Sequence, residues 1–247
     1  AIPLSALRGD NMIEASANTP WYSGPTLLAH LETVQVEQDA INKPFRLPVQ
    51  WVNRPNLDFR GFSGTISSGR VKPGDEIVVT ASGQTSKVKD IVTFDGNLEE
   101  AIAGQAITLT LEDEIDISRG DVLAPVEAKP DFADQFEARI IWMHEDHLLP
   151  GRPYIIKMGA QVTNAQISDL KYKVNVNTLE HVAGKTLELN EVGIANISTD
   201  KALAFDPYDD NRHSGRFIII DRFTNATVGA GMVNHSLRRA TNLNWQE

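Results

Sequence analysis

The spacing of turn residues constrains the fold of this chain more than any other feature. From Pro44 onward, short apolar runs alternate with Gly, Pro, Asn and Asp at intervals of roughly 8–12 residues, a pattern typical of barrels and sandwiches. The segment Lys72–Asp75 fits a type II turn, because Pro73 fixes φ at the second position and Gly74 accepts a positive φ at the third. About six strands fit into the 80 or so residues after Pro44, which is enough for one small closed barrel.

A second strand-rich run follows Ala128–Asp131, which has the composition of a linker. The predicted strands of this run are Phe136–Met143, Tyr154–Met158, Gln161–Val176, Leu187–Ser198, Arg216–Asp221 and Thr227–Val233. The segment Ala204–Ser214 is too polar and too broken for a strand. We therefore predict a mainly β chain with barrels at residues 44–127 and 128–247.

Residues 1–43 have a different pattern. Ile2–Leu4 has the composition of a strand, and Ser23-Gly24-Pro25 is expected to open a helix, with Pro25 at its first position. Leu27, Leu28, Leu31 and Val34 follow at helical spacing and form one apolar stripe. The stripe belongs against a sheet for which the chain supplies no strands.

Composition excludes several classes of protein. The chain has no cysteine, so it has neither disulfides nor thiolate metal sites. No apolar run reaches the roughly 18 residues of a membrane span, and we expect a cytoplasmic protein without a membrane partner.

The distribution of charge bears on nucleic-acid binding. Residues 1–127 contain 10 Lys and Arg against 18 Asp and Glu, a net of −8, whereas residues 128–247 contain 13 against 15, a net of −2. The acidic first half argues against a broad nucleic-acid surface. A local basic patch remains open in the second half, where Lys171, Lys173, Arg238 and Arg239 occur in pairs.

Three polar clusters are candidates for chemistry. His144 and His147, with Glu145 and Asp146 between them, resemble a metal site, but zincin histidines are four residues apart on a helix. A solvated turn is the favoured interpretation.

The other two clusters are Asp206, Asp209 and Asp210, and His213 with Arg212 and Arg216. The acidic loop lacks the central Gly and terminal Glu of a calcium loop, so it is expected to be a surface loop that caps its own backbone. The basic cluster has the composition of an anion site, a hairpin flank or a contact with a partner.

Known catalytic motifs are absent from the sequence. It contains no Gly-x-Ser-x-Gly, no Gly-x-Gly-x-x-Gly and no Gly-x-x-x-x-Gly-Lys-Ser/Thr. No catalytic or metal-binding residue is predicted within the chain.

The run Arg60–Asp75 resembles the second domain of elongation factor Tu, and Ala101–Gln105 and Ile117–Leu123 match the same domain in order and spacing. Gly215–Phe217 and Thr227–Val233 resemble the closing strands of the third domain. Met12–Leu31 and the stretch Asn196–Lys201 with Phe205–Tyr208 resemble, more narrowly, the GTPase large subunit of bacterial sulfate adenylyltransferase. The resemblance covers nearly the whole chain.

This resemblance implies that residues 1–43 are the tail of an α/β GTPase domain, a strand and helix whose body precedes residue 1. Ser5, Ala6 and Leu7 match the last guanine-binding motif of the family, although a turn at a strand end would explain this tripeptide equally well. GTP and Mg²⁺ are the expected cofactors of the complete subunit, and none is expected for this chain alone.

The implied activity is GTP-dependent transfer of an adenylyl group from ATP to sulfate, with the chemistry in a separate catalytic small subunit. The expected partners are that subunit and the GTPase domain, and the chain alone is expected to be inactive. Two alternatives stay open: a tRNA- or ribosome-binding module of a translation factor, and a purely structural interaction module.

Overall fold

The computed structural model describes residues 1–34, 38–56 and 58–237. It divides into two compact units, Ala1–Asp39 and Ala40–Glu247. The boundary lies close to the predicted end of the first segment at residue 43. The boundaries predicted at residues 44 and 128 stay predictions.

The first unit contains one complete helix, α1, at Leu27–Thr33. It begins two residues later than expected, because Thr26 is the N-cap and its Oγ1 accepts a hydrogen bond from the backbone N–H of Ala29. Pro25 therefore precedes the helix rather than opening it. No residue of α1 is buried, and Leu31 is 61% exposed, so the apolar stripe is uncovered within this unit.

The predicted strand at Ile2–Leu4 does not form within this unit. Among the described residues of this unit, the one β-pairing is an isolated bridge between Ser5 and Asp10. A strand requires a neighbour for its backbone groups, and the described part of this unit supplies none.

The first barrel follows the short helix α2, Gln38–Ile41. Its strands are β1 Leu47–Pro48, β2 Trp51–Asn53, β3 Gly61–Thr65, β4 Arg70–Val71, β5 Glu76–Val79, β6 Thr85–Thr93, β7 Gly96–Leu98, β8 Ala101–Ile102, β9 Ala106–Leu111 and β10 Val122–Pro125. The main sheet has the order β1-β10-β5-β6-β9-β3-β2, with β7 paired to β6, while β4 and β8 form a separate pair.

This sheet returns on itself because its two end strands are consecutive in the chain. Only Val49 and Gln50 separate β1 from β2. Val49 donates its backbone N–H to Asp121 beside β10, and Gln50 donates its backbone N–H to Ser63 of β3. One extended segment thus joins both edges.

The second barrel consists of β11 Asp131–Trp142, β12 Pro153–Met158, β13 Gln161–Val174, β14 His181–Val182, β15 Val192–Phe205, β16 Arg216–Asp221 and β17 Thr227–Ser236. Six strands close in the order β12-β16-β17-β11-β15-β13, since β13 also pairs with β12, and β14 extends the edge at β13. The mainly β, two-barrel fold class is confirmed.

Two predicted strands are wrong at both ends, and the first of them, expected at Phe136–Met143, is β11 at Asp131–Trp142. The run expected at Leu187–Ser198 is β15, which starts at Val192 and continues to Phe205. Leu187 is buried from the preceding loop, where its carbonyl accepts a hydrogen bond from the N–H of Leu148. The apolar side chain of Leu187 therefore indicates that this residue is buried, but the residue does not belong to a strand.

Each barrel has a separate apolar core. Phe62, Ile77 and Leu109 lie in the first. Phe136 is central to the second, with its ring centroid 5.1 Å from that of Phe205 and 5.7 Å from that of Phe217. Aromatic pairs at such distances stabilise a core beyond the area they bury.

Candidate functional site

The predicted guanine-binding residues lie in a tight turn of the first unit. The backbone N–H of Gly9 donates to the carbonyl of Ser5 at 2.8 Å, and the N–H of Arg8 reaches Ser5 Oγ at 3.3 Å. Leu7 is 96% exposed and Ala6 is also exposed. Ala6 and Leu7 are therefore open to solvent, which a contact with a base requires.

Asn11 fixes this turn to the rest of the first unit. It is 2% exposed and has a φ of 55°, a left-handed conformation that Asn tolerates better than most residues. Its Nδ2 donates to the Pro3 carbonyl and to Thr19 Oγ1, each at 2.8 Å, and its Oδ1 accepts from the N–H of Ser16. One buried amide thus joins both sides of the turn.

Asp10 adds a charged anchor at the end of the same turn. Hydrogen bonds donated by Ser16 Oγ at 2.5 Å and by Asn18 Nδ2 at 2.9 Å hold the pKa of this carboxyl below its usual value. Asp10 is therefore ionised at neutral pH and orders the segment that follows the turn.

The resemblance implies one contact between backbone N–H groups of this turn and the guanine oxygen, and nothing in the sequence supplies the phosphate loop that cradles a triphosphate. Within the described residues, no group of three or more His, Asp or Glu side chains is arranged to hold a metal ion. The assignment of Ser5, Ala6 and Leu7 to guanine stays a prediction.

The best-built polar site lies between the two barrels. Arg46 is 4% exposed and directs its guanidinium at Asp206, with Nε 3.1 Å from Oδ2 and Nη2 2.9 Å from Oδ1. Arg46 Nη1 also donates to the carbonyls of Phe45 at 2.9 Å and Ala128 at 2.7 Å. Ser214 Oγ donates to Asp206 Oδ2 at 2.6 Å. Both charges are thus hydrogen-bonded, as burial requires.

A second contact lies beside the first. Asn211 is 6% exposed, and its Nδ2 donates to Ser68 Oγ at 2.9 Å, while Ser68 Oγ donates to the Pro44 carbonyl at 2.7 Å. Lys43 Nζ donates to the carbonyl of Asp210. We call Arg46, Ser68, Asp206 and Asn211 the junction cluster.

The acidic loop was expected to be a surface loop that caps its own backbone, and this expectation is wrong for Asp206. Asp206 is 13% exposed and pairs with Arg46, and Asn211 is buried. Asp209 and Asp210 are exposed, as expected. Sequence reasoning missed Arg46 altogether, because a lone Arg before a strand carries no sign of its partner.

The His144–His147 cluster forms a turn. The backbone N–H of Asp146 donates to His144 Nδ1 at 3.1 Å, and the Trp142 indole Nε1 donates to the Asp146 carbonyl at 2.7 Å. The turn interpretation accounts for these contacts.

The basic cluster is only partly brought together. Arg216 Nη2 lies 3.2 Å from His213 Nδ1. Burial, and then the charge of Arg216, lower the pKa of His213, so its neutral form is favoured. Arg212 is exposed, and no contact among the described residues links its side chain to the pair.

The basic pairs of the second half are neutralised where the structure describes them. Lys171 pairs with Glu137, and Lys173 Nζ lies 2.6 Å from Glu191 Oε2. Arg238 and Arg239 lie outside the described residues. The described pair therefore contributes little unpaired positive charge to a nucleic-acid surface.

Two family models match the barrels. The elongation factor Tu domain 2 model matches residues 62–124, and the GTP-eEF1A C-terminal domain-like model matches residues 135–234. A solved structure of Sup35 complexed with GDP superimposes with a TM-score of 0.74 at 23% identity, covering 96% of this chain and 58% of that one. At that identity the likeness concerns the fold alone.

Closer relatives are found among curated proteins. The chain is 58% identical to the bifunctional enzyme NodQ of a Rhizobium species over 99% of its length. It is 51% and 53% identical to sulfate adenylyltransferase subunit 1 of Colwellia psychrerythraea and of Psychromonas ingrahamii, each over 96% of its length. The chain spans 38% of NodQ and 51% and 50% of the two subunits. No helix among the described residues has the length and apolarity to cross a membrane.

Proposed function

Because this chain belongs to the translation-factor GTPase superfamily, as a homologue of sulfate adenylyltransferase subunit 1, we propose that it is the barrel portion of the regulatory GTPase subunit of a sulfate adenylyltransferase. The observation that carries this proposal is identity of 51–53% to three such subunits, over 96% of the chain in each case. The enzyme would make adenosine 5′-phosphosulfate from ATP and sulfate, in the cytoplasm.

The barrels would act as a body against which a GTPase switch moves. Such switches work because the γ-phosphate and Mg²⁺ hold loops that relax on hydrolysis. A moving switch transmits force only to a body that keeps its shape. The junction cluster supports this role, because it ties Arg46 of the first barrel to Asp206 of the second through two hydrogen bonds.

The chain alone would neither hydrolyse GTP nor make adenosine 5′-phosphosulfate. Ser5, Ala6 and Leu7 offer one contact with guanine, whereas most triphosphate affinity comes from backbone N–H groups and a Lys on the phosphates. Calorimetric titration with GTP and Mg²⁺ checks this. Saturable binding at micromolar concentration would contradict it.

Genetic complementation tests the function itself. The host is a bacterium that lacks sulfate adenylyltransferase subunit 1 and therefore cannot grow on sulfate. A gene for that subunit restores growth, and in the test the part of this gene that encodes the barrels is replaced by the sequence of this chain. Growth on sulfate is the expected result, and the gene without its barrels is the control. If the exchanged gene is expressed but gives no growth, the proposal is wrong.

A further inference from the structure

An apolar groove runs over the outer face of the second barrel, and nothing described so far uses it. It has a volume of about 430 Å³, within the range of about 300–1,000 Å³ that ligand clefts have. Ile218 of β16, Ala230 of β17 and Ile141 of β11 form its floor. We call it the outer groove.

Strand register places these floor residues side by side. Ile218 pairs with Ala230, and Ala230 pairs with Ile141. Side chains alternate across a strand, so Ile218 faces outward while its neighbours Phe217 and Ile219 fill the core. Ile141 is 37% exposed. An outer face of a barrel usually carries polar residues at such positions, which makes this aliphatic row unusual.

Three cations surround the floor. Lys157 pairs with Ile218 in the register of β12 and β16. Arg139 and Arg216 both pair with Met232 of β17, one from each side. All three cations are exposed.

None of these three cations has an anionic partner among residues 1–34, 38–56 and 58–237. The chain as a whole has a formal net charge of −10. A local excess of unpaired cations around an aliphatic floor is therefore a feature of this face and not of the composition.

The contact with His213 orients one of the cations. Arg216 Nη2 lies 3.2 Å from His213 Nδ1, and the neutral ring accepts the hydrogen bond without adding charge. Tyr208, which contributes to the groove wall, is fixed by donating its backbone N–H to the carbonyl of Val233. The acidic loop thus supplies His213, whose ring orients Arg216, and Tyr208, which forms part of the groove wall.

We infer that the outer groove is the docking site for an acidic segment of the catalytic small subunit, one that inserts a large apolar side chain between flanking carboxylates. This inference rests on the proposed function for the identity of the partner. The apolar side chain covers Ile218, Ala230 and Ile141, and the carboxylates pair with Lys157, Arg139 and Arg216. Complementary charge of this kind raises the association rate and suppresses wrong partners.

A nucleic acid fits the groove less well. Single-stranded nucleic acids bind to aromatic platforms flanked by cations, and the floor here is aliphatic. A phosphodiester backbone would leave Ile218 and Ala230 uncovered. Proteins rarely keep apolar patches exposed without a partner, so an occupant with its own apolar side chain explains both parts of the site.

The test is calorimetric titration of the small subunit into this chain at low and high salt. The double variant Lys157→Glu/Arg216→Glu should weaken binding by at least about tenfold, because like charges then face each other, and the loss should shrink at high salt. Ala230→Gln, which places a polar side chain in the floor, should weaken binding by about tenfold at both salt concentrations, since it blocks apolar contact.

Lys87→Glu is the matched control, since Lys87 is exposed on β6 of the first barrel, and it should bind like the unchanged chain. If the carboxylate of the small subunit that pairs with Arg216 is changed to Arg, binding to the Arg216→Glu variant should be restored. Equal binding by groove variants and control would overturn the inference, as would no binding by the unchanged chain. Binding of tRNA that the groove variants abolish would also overturn it. Unchanged binding by the groove variants, together with growth on sulfate supported by the exchanged gene, would overturn the inference and leave the proposed function standing.

Discussion

Arg46 Nη2 donates a 2.9 Å hydrogen bond to Asp206 Oδ1, and this pair joins residues 160 positions apart in the sequence. The guanidinium also holds the carbonyl of Ala128, so one buried side chain contacts the first barrel, the connecting segment and the second barrel. This arrangement gives the two barrels a fixed relationship.

Removing the carboxylate should destabilise the chain. Asp206→Ala leaves Arg46 buried without its anion, and breaking a buried ion pair in this way costs about 3–5 kcal/mol. Urea unfolding measures the loss. Asp116→Ala is the control, because Asp116 is fully exposed and pairs with Arg60 at 3.4 Å, so no measurable change is expected. Similar losses in both variants would contradict the role of the junction cluster.

Two glycines with positive φ should respond differently to alanine. A Cβ on Gly69, which has φ of 76°, would lie 2.4 Å from the backbone N of Phe45. A Cβ on Gly74, with φ of 92°, would meet nothing within 4 Å. Gly74→Ala should cost about 1–2 kcal/mol from its left-handed backbone alone, and Gly69→Ala should cost clearly more. Equal losses of stability for the two variants in thermal unfolding would contradict the close approach of Gly69 to the backbone of Phe45.

Asp221 should make stability depend on acid pH. The backbone N–H of Thr224, the N–H of Phe223 and Arg152 hold the pKa of this buried carboxyl below its ordinary value. Its contribution is therefore present above the unfolded pKa of about 3.9 and is lost as pH falls through the lower folded value. Asp221→Asn should be less stable at pH 7, with a difference that shrinks below about pH 4. A difference independent of pH would contradict this.

The connecting segment should be the first place that a protease cuts between the barrels. Glu127 and Lys129 are exposed, whereas Pro130 is buried. A protease specific for glutamate is the suitable probe, because Pro130 blocks tryptic cleavage after Lys129. We predict preferential cleavage between Pro125 and Asp134, faster in Asp206→Ala because Ala128 is then held less firmly. First cuts outside Pro125–Asp134 would contradict the predicted boundary.

The parts of the fold that local chemistry determines could be predicted from the sequence. Gly74 has the positive φ of the predicted turn, and the N–H of Asp75 donates to the Lys72 carbonyl at 3.2 Å. The strand at Arg216–Asp221 was also predicted with the bounds that the structure shows. In both cases the determining residues are neighbours in the chain.

Features that depend on distant partners could not be predicted. In the sequence alone, Asp206 is typical of a solvated residue, because nothing nearby indicates that Arg46 is its partner. The outer groove likewise forms only when four strands lie side by side. The start of α1 was misjudged because Thr26 and Pro25 are both favourable at a helix start, and the hydrogen bond to Ala29 decides between them.

Reconstituted adenylyl transfer is the direct test of the proposed regulatory role. This chain replaces the matching residues of sulfate adenylyltransferase subunit 1 from Psychromonas ingrahamii, to which it is 53% identical, and the product is mixed with the catalytic small subunit, ATP, sulfate and Mg²⁺. Release of pyrophosphate is measured with and without GTP. We expect sulfate-dependent release that GTP increases and that disappears without the small subunit. Release that does not respond to GTP, together with binding of aminoacyl-tRNA by the chain, would contradict it.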